Sequence, residues 1–354
     1  MDAPDGTTAG DVTVAELRLA ARNHGMPLEA LRYPVTPVGL HYLLVHYDIP
    51  AVDPGAWRLE LDGRVDRELS LSLPDLRAMP AVTLPVTMEC AGNGRLGQTP
   101  LPEGEPWGYY AVSTARWTGA LLHQVLEQAD ASRDGVDVRF EGADRGPYHQ
   151  YDDLRFVRSL DFAHAADPAA EILIAYEMND EPLNADHGAP FRLIVPHWYG
   201  VASVKWLRRI DVITEDYEGE FQVGHYMYEW PDRPHEPVTA VRVRARITDP
   251  VPGAVIPAGT YTIRGKAWSG TGPVTKVELS FTGASEWKAA RLDVRRGPYQ
   301  WQDWSCEWTV TRPGRYTLRA RATDAAGHVQ PDVPPWNRLG YGNNAVELQY
   351  VDVR

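Results

Sequence analysis

Cysteine is almost absent from this sequence of 354 residues, which contains only Cys90 and Cys306. Two cysteines so far apart exclude a disulfide framework and a zinc or iron–sulfur site built from cysteines. The chain also lacks a Cys-x-x-Cys-His motif, so it carries no covalently attached c-type haem of its own.

Long apolar runs, basic stripes and an export signal are missing as well. No stretch approaches the 18 or so consecutive apolar residues of a membrane helix, and residues 1–6 (MDAPDG) lack a basic or twin-arginine leader. We therefore expect no membrane span and a cytoplasmic protein, or a periplasmic one if a leader has been removed. The net charge of −13, without a long basic stripe, disfavours nucleic acid as a partner.

The organisation of the chain predicts two main domains. Residues 1–35 contain a possible helix at 14–23 and then a proline-rich passage, which we interpret as an N-terminal arm. Residues 36–235 alternate short apolar runs with turns, and one amphipathic helix is predicted there, with Thr118 as its N-cap. Its apolar face consists of Leu121, Leu122, Val125, Leu126 and Ala129. Further strands are predicted at 136–140, 191–195 and 203–213.

A proline-rich stretch at residues 231–237 (PDRPHEP) marks the predicted domain boundary. After it, short alternating strands are predicted at 241–247, 261–264, 276–281 and 316–322, separated by Gly, Pro and Asp turns. This spacing is typical of a β-sandwich over residues 236–354. The predicted fold class is therefore α+β: a mixed α/β domain followed by an all-β, immunoglobulin-like sandwich.

The most informative segment for chemistry is residues 87–95 (TMECAGNGR), which places Cys90 among small residues and just before Arg95. Glycines allow the backbone to approach a ligand closely, and a nearby cation favours the thiolate that binds metal. An inert core cysteine in a tight turn is the alternative, because free cysteine is commonly buried.

Further segments, taken together with this one, resemble the sulfite oxidase family in order and spacing. They cover roughly residues 36–354 and are 89–95 (ECAGNGR), 175–179 (AYEMN), 186–192 (DHGAPFR), 198–207 (WYGVASVKWL), 264–270 (RGKAWSG) and 336–345 (WNRLGYGNNA). The last two resemble the family's immunoglobulin-like dimerisation domain, which implies a homodimer.

The resemblance implies a molybdenum cofactor, a pyranopterin whose dithiolene holds the metal, with Cys90 as the protein's sulfur ligand. The cofactor contacts that it implies fall on His46, Asp144, His187, Arg192, Ser203 and Lys205. The residue types suit this role, because Arg and Lys bind phosphate while imidazole and carboxylate groups can bind pterin nitrogens.

Some of these residues also have simpler interpretations. Lys205 could be a solvated strand lysine, His187 a turn residue and Arg95 a surface turn residue. Arg192 lies in an apolar run and should therefore find a buried anionic partner. Beside a metal-binding cysteine, we expect Arg95 to face the substrate cavity.

The chain departs from the family pattern where a substrate would bind. Leu44 stands where sulfite-oxidising members carry an anion-binding arginine, and Phe156 aligns with a tyrosine near the metal. Loss of a charge-assisted hydrogen bond worth about 1.5–3 kcal/mol lowers anion affinity roughly tenfold to a hundredfold. Arg338 is displaced by one position in the WNRLG run, and Trp107 matches a pocket tryptophan in kind, although it could equally serve packing.

The leading hypothesis is a molybdenum-dependent oxidoreductase that transfers an oxygen atom to sulfite or a related small sulfur compound. Cys90, Arg95, Arg338 and Trp107 are its predicted catalytic residues, and an external carrier, such as a cytochrome or dioxygen, accepts the electrons. A substrate other than sulfite, for example a sulfoxide, or operation as a reductase is the first alternative, because Leu44 replaces the arginine. A non-catalytic binding protein is the second.

Overall fold

The fold is given by a computed structural model, which describes residues 23–281 and 286–354. The helix expected at residues 14–23 lies outside this range except for Asn23. The α-helices within the described residues are α1 (Leu73–Ala78), α2 (Leu122–Gln128) and α3 (Phe162–Ala165). The 3-10 helices are Leu28–Arg32, Val38–Leu40, Arg95–Gly97, Pro168–Ala170 and Gly200–Ala202, and Glu220–Gly224 forms a π-helical turn.

Strands make up most of the regular structure in the described ranges. In chain order they are β1 (Leu59–Gly63), β2 (Leu69–Leu71), β3 (Ala81–Glu89), β4 (Val112–Leu121), β5 (Asp137–Tyr148), β6 (Tyr151–Asp161), β7 (Leu173–Met178), β8 (Glu181–Pro182), β9 (Arg192–Ile194), β10 (Leu207–Ile213), β11 (Met227–Tyr228), β12 (Glu236–Pro237), β13 (Arg244–Asp249), β14 (Val255–Ile256), β15 (Gly259–Trp268), β16 (Val274–Ser280), β17 (Lys288–Ala289), β18 (Arg291–Leu292), β19 (Gln302–Val310), β20 (Gly314–Asp324) and β21 (Gln349–Val353).

The N-terminal half is built mainly on two five-stranded sheets. One has the strand order β2-β1-β10-β5-β6 and the other β3-β4-β7-β8, with β9 beside β7. The apolar face of α2 packs into the core of this half, because Leu122, Val125 and Leu126 are all buried. Met26 and Leu31 are buried in the same core, so the described part of the N-terminal arm packs onto this half.

The predicted N-cap of the amphipathic helix is wrong. Thr118 lies inside β4, where it pairs with Thr83 of β3, and the helix begins only at Leu122. The cap position is Leu121, which offers no capping side chain. The physical reason is that hydrogen bonding to strands on both sides of β4 keeps residues 112–121 extended.

The C-terminal half is sheet-rich, as expected for an immunoglobulin-like sandwich. One sheet has the order β13-β15-β19-β18 and the other β14-β21-β20-β16-β17. Strand β20 shows the alternation behind the prediction, since Leu318, Ala320 and Ala322 are buried and separated by more exposed residues. Cys306 is buried in this core as a free thiol.

The proline-rich stretch at residues 231–237 lies between the two halves. Its last residues, Glu236–Pro237, form β12 and pair with β11. The halves also touch directly, because Trp268 Nε1 donates a hydrogen bond to Glu89 Oε2 at 2.7 Å. The domain limits 36–235 and 236–354 remain our proposal. None of the helices within the described residues has the length and apolar character of a membrane span.

Candidate active site

A cavity that opens to solvent lies in the N-terminal half, and its empty space, counted together with the open solvent at its mouth, is about 620 Å³. The predicted cofactor residues come from well-separated parts of the sequence, and all of them line this cavity: His46, Cys90, Asp144, His187, Arg192, Ser203 and Lys205.

Cys90 follows the last residue of β3 and begins a tight turn. Its amide donates to Ala111 O at 2.9 Å, and its carbonyl accepts from the Asn93 amide at 2.9 Å. Gly94 takes a φ of +84°, a left-handed conformation that favours glycine. The turn therefore fixes the cysteine backbone and leaves its side chain at the cavity wall.

The sequence suggested that Arg95 would favour the thiolate form of Cys90, but the structure does not support this. Burial raises its pKa to about 11, and the opposing effect of Arg95 is smaller. Desolvation therefore outweighs the nearby cation. A coordinated metal ion would be required to hold this residue as a thiolate.

Arg95 does not lie among the residues that line the cavity. It is buried, its Nε donates to Leu339 O at 2.9 Å, and Nη1 donates to Glu105 O. Its guanidinium also lies over the ring of Tyr341, 5.4 Å from the centroid. The surface-turn interpretation is excluded by this burial, and the expected orientation toward the cavity is not found.

Arg338 and Trp107 also lie outside the cavity lining. The Arg338 side chain is 45% exposed and forms ion pairs with Glu103 at 2.8 Å and with Glu229 at 2.5 Å. Trp107 is buried in the same apolar cluster as Cys90. In the structure, Arg338 joins two loops through its ion pairs, and Trp107 packs in the apolar core. Their catalytic assignment stays a prediction.

Arg192 is held in the cavity wall by backbone carbonyls. Its Nη1 donates to His187 O and its Nη2 to Ser203 O, both at 3.1 Å, while the guanidinium lies 4.7 Å from the centre of the Trp117 ring. The expected anionic partner is not found among the described residues, and burial lowers the pKa of Arg192 to about 10. A buried arginine held in this way suits an anionic ligand group such as a phosphate.

Lys205 is part of the cavity wall rather than a solvated strand residue. Its Nζ donates to Leu44 O at 2.8 Å and lies 4.4 Å from the centre of the Trp206 ring. Burial and the positive charge of Arg192 lower its pKa to about 7. Gly188, at a φ of +101°, permits this packing, because a Cβ there would lie 3.0 Å from the Lys205 Cα.

Asp144 provides a test of whether the cavity fits the cofactor. Its Oδ1 is buried and, like Arg192 Nε and His41 Nε2, has no hydrogen-bond partner among the described residues. Burial raises the pKa of Asp144 to about 7. Buried polar atoms without partners cost about 1–3 kcal/mol each, so three of them at one cavity indicate a polar ligand. The donors and acceptors fit a pterin with an anionic tail.

Tyr226 and His41 are cavity residues that sequence analysis missed. Tyr226 Oη lies 2.7 Å from His46 Nε2, and Phe156 stacks on the same imidazole at 4.5 Å between ring centres. The hydroxyl that Phe156 lacks is therefore present in the cavity on another residue. His41 has a sequence signal, since it lies five residues before His46 across an apolar run, whereas Tyr226 has none that we recognise.

Comparisons with known proteins identify a molybdopterin-binding domain in the chain. Residues 46–221 match the oxidoreductase molybdopterin binding domain, and residues 235–349 match the Mo-co oxidoreductase dimerisation domain. A solved structure of the sulfane dehydrogenase SoxCD from Paracoccus pantotrophus superimposes with a TM-score of 0.81. It is 25% identical and covers 99% of this chain and 92% of that one.

The similar curated proteins include sulfite oxidases. The chain is 36% identical to sulfite oxidase of Gallus gallus over 86% of its own length and 70% of that protein, and 36% identical to mitochondrial sulfite oxidase of Homo sapiens over 90% and 62%. It is also 34% identical to a nitrate reductase of Hordeum vulgare, of which it covers 38%. The chain belongs to the sulfite oxidase family of molybdenum-cofactor oxidoreductases.

Proposed function

We propose that this protein oxidises sulfite to sulfate and passes two electrons to a separate acceptor. The observation that carries the proposal is the convergence on one cavity of Cys90, Arg192, Lys205 and Asp144, whose Oδ1 has no hydrogen-bond partner among the described residues. Family membership sets the reaction class, and the cavity supplies groups of the right chemistry for the cofactor. A non-catalytic binding role has no comparable support.

Different residues of the cavity would bind different parts of the cofactor. Cys90 would supply the protein's sulfur ligand to the metal, and Arg192 and Lys205 would bind the phosphate. Asp144 and the imidazoles of His41 and His46 would face the pterin nitrogens. When bound, the molybdenum cofactor supplies two-electron oxygen-atom transfer.

The protonation of these groups follows from their burial. Burial lowers the pKa of His46 to about 3, because the charged imidazolium is poorly solvated. His46 is therefore neutral at physiological pH and can accept a hydrogen bond from Tyr226. Burial also raises the pKa of Tyr226, which keeps its hydroxyl protonated as a donor. The pair is therefore neutral, and its hydrogen bond fixes the imidazole in the cavity wall.

Positive charge for a substrate anion is limited in this cavity. Arg192 and Lys205 are the arginine and lysine side chains that line it, and both are suited to the cofactor. Leu44 lines the cavity at the position of the family's anion-binding arginine. We therefore expect sulfite to bind weakly, with a KM above that of members that carry the arginine.

Leu44 favours a second candidate function, which is chemistry on an uncharged sulfur compound such as a sulfoxide. An apolar wall does not penalise a neutral substrate, whereas an anion gains nothing from it. The sulfane dehydrogenase to which this chain is similar acts, by its name, on another sulfur compound.

Two partners complete the proposal. The dimerisation domain supports a homodimer through residues 235–349. The electron acceptor would be a cytochrome, another carrier or dioxygen.

A substrate panel tests the function. The molybdenum-loaded protein is assayed for oxidation of sulfite with ferricyanide and cytochrome c as acceptors, and for reduction of dimethyl sulfoxide and nitrate with reduced viologen. The proposal predicts the highest kcat/KM with sulfite. Turnover of the sulfoxide alone would replace it by the second candidate, and turnover of none of them would overturn both.

A further inference from the structure

A cluster of metal-ligating side chains lies outside the cofactor cavity. His149, Glu220 and His225 each offer one ligand atom, and these atoms all lie within 4.8 Å of one another. None of the three lines the cavity. We propose that they form a second metal site, for a late first-row divalent cation such as Zn²⁺.

Local structure brings the three residues together. The π-helical turn Glu220–Gly224 places the side chain of Glu220 beside His225, with Nδ1 and Oε1 3.0 Å apart. A single π-turn of this kind is rare and is often found at functional sites. His149 lies in the turn between β5 and β6 at a φ of +49°, and its ring stacks on that of His225 with centres 5.0 Å apart.

The set of ligands selects the class of metal. Two imidazoles and one carboxylate match the His₂Glu sets of open zinc sites, which keep a further position for water. Magnesium and calcium prefer oxygen ligands and would bind weakly at a site with two imidazoles. Ligand atoms around tetrahedral zinc lie about 3.3 Å apart, so atoms that are now up to 4.8 Å apart would move inward and the stacked imidazoles would turn toward a common point when the metal binds.

A simpler interpretation is an ordinary His–Glu pair with a second imidazole stacked on it. His328 and Asp324 form such a pair elsewhere, with 3.3 Å between Nδ1 and Oδ2 and no second histidine. The difference at the proposed site is that a second imidazole has a ring nitrogen within 4.8 Å of the same carboxylate. His149 is exposed, so a cation can reach the cluster from solvent.

The proposed site is one residue away from the cavity wall. His225 precedes Tyr226, whose hydroxyl contacts His46. Phe221, inside the π-helical turn, packs against His46 with ring centres 5.1 Å apart. A bound cation would therefore tie the β5–β6 turn to the segment that carries Tyr226.

The test is zinc binding to the molybdenum-loaded full chain after treatment with a chelator. Isothermal titration with Zn²⁺ should show one site per chain, with no comparable site for Mg²⁺. The variant His149→Asn keeps a residue that tolerates positive φ but removes the imidazole. We expect it, and separately Glu220→Gln, to weaken zinc binding about tenfold or more, while His328→Ala leaves it unchanged.

Hydrogen–deuterium exchange gives a second readout that does not depend on activity. Zinc should slow exchange in residues 145–151 and 219–226 of the wild type, and not in the His149→Asn variant. The proposal is overturned if the wild type binds zinc no better than His149→Asn, or if His328→Ala weakens binding equally. Because neither readout uses turnover, failure here is distinct from failure of the proposed function.

Discussion

At the scale of single residues, the surroundings of Cys90 explain its position but do not by themselves make its thiol reactive. Its backbone is fixed by a hydrogen bond from the Cys90 amide to Ala111 O and another from the Asn93 amide to Cys90 O, and its thiol is kept neutral by burial. Such a thiol is inert by itself and becomes a ligand only when a metal replaces its proton. Its role therefore depends on the cofactor and not on an intrinsically reactive thiolate.

Replacing this residue should abolish turnover without unfolding the protein. We expect Cys90→Ala to lose sulfite oxidation to below detection, because the protein's sulfur ligand is gone, while the pterin contacts remain. Steady-state kinetics with ferricyanide provide the measurement. Cys306→Ala is the matched control, since Cys306 is a buried free thiol of the sandwich and should retain activity. Full activity of Cys90→Ala would refute the assigned role.

The substrate pocket can be tested at Leu44. We expect Leu44→Arg to lower the KM for sulfite roughly tenfold to a hundredfold, because a charge-assisted hydrogen bond is worth about 1.5–3 kcal/mol. Leu44→Met keeps the size without the charge and should leave the KM unchanged. An unaltered KM in the arginine variant would show that this part of the cavity does not bind the anion.

The phosphate-binding role of Lys205 has a separate test. We expect Lys205→Met to lower the molybdenum content of the purified protein under limiting cofactor, since a charged donor is lost from the cavity wall. Lys288→Met is the control, because Lys288 is exposed on the sandwich. Equal molybdenum content in the two variants would argue against Lys205 as a cofactor contact.

At the scale of secondary-structure elements, a buried charge network connects the Cys90 turn to the sandwich. Glu89, the last residue of β3, lies 3.4 Å from Arg244 Nε, and Glu347 lies 3.5 Å from Arg244 Nη1. Glu89 and Arg244 side chains are each only 2% exposed. Strand β13 of the sandwich therefore stabilises the end of β3, which is followed directly by Cys90.

Removing one partner of this network should destabilise the whole chain. We expect Arg244→Met to lower the free energy of unfolding by about 3–5 kcal/mol, because it leaves Glu89 buried and without its cation. Arg315→Met is the matched control, since its ion pair with Asp352 is exposed to solvent and should contribute little to stability. Chemical denaturation checks both. Equal effects would mean that Arg244 contributes no more than a surface pair.

The elements show where sequence patterns suffice. Alternation of buried and exposed residues predicted β20, because one of its faces packs on the core. Leu122, Val125 and Leu126 on the apolar face of α2 were also correctly predicted, but the start of that helix was not, since Leu121 lies in β4. Thr118 has the chemistry of a cap, and only the pairing of β4 with its neighbours shows that it lies in a strand.

At the scale of the whole molecule, the family resemblance predicted a set of cofactor contacts that lie far apart in sequence, and these residues line one cavity. The orientations of Arg95 and Arg338 could not be obtained in this way. Each depends on long-range partners, namely Leu339 for Arg95 and Glu229 for Arg338. Tyr226 was missed for the same reason, because its contact with His46 joins residues 180 positions apart.

The central claim is that this cavity holds a molybdenum cofactor, and the molybdenum content of the purified protein tests it most directly. The protein is made in a host that assembles the cofactor, and elemental mass spectrometry measures the metal. We predict about one molybdenum atom per chain, and none when the host lacks cofactor synthesis. Folded protein without molybdenum, from a host that supplies the cofactor, would contradict the account.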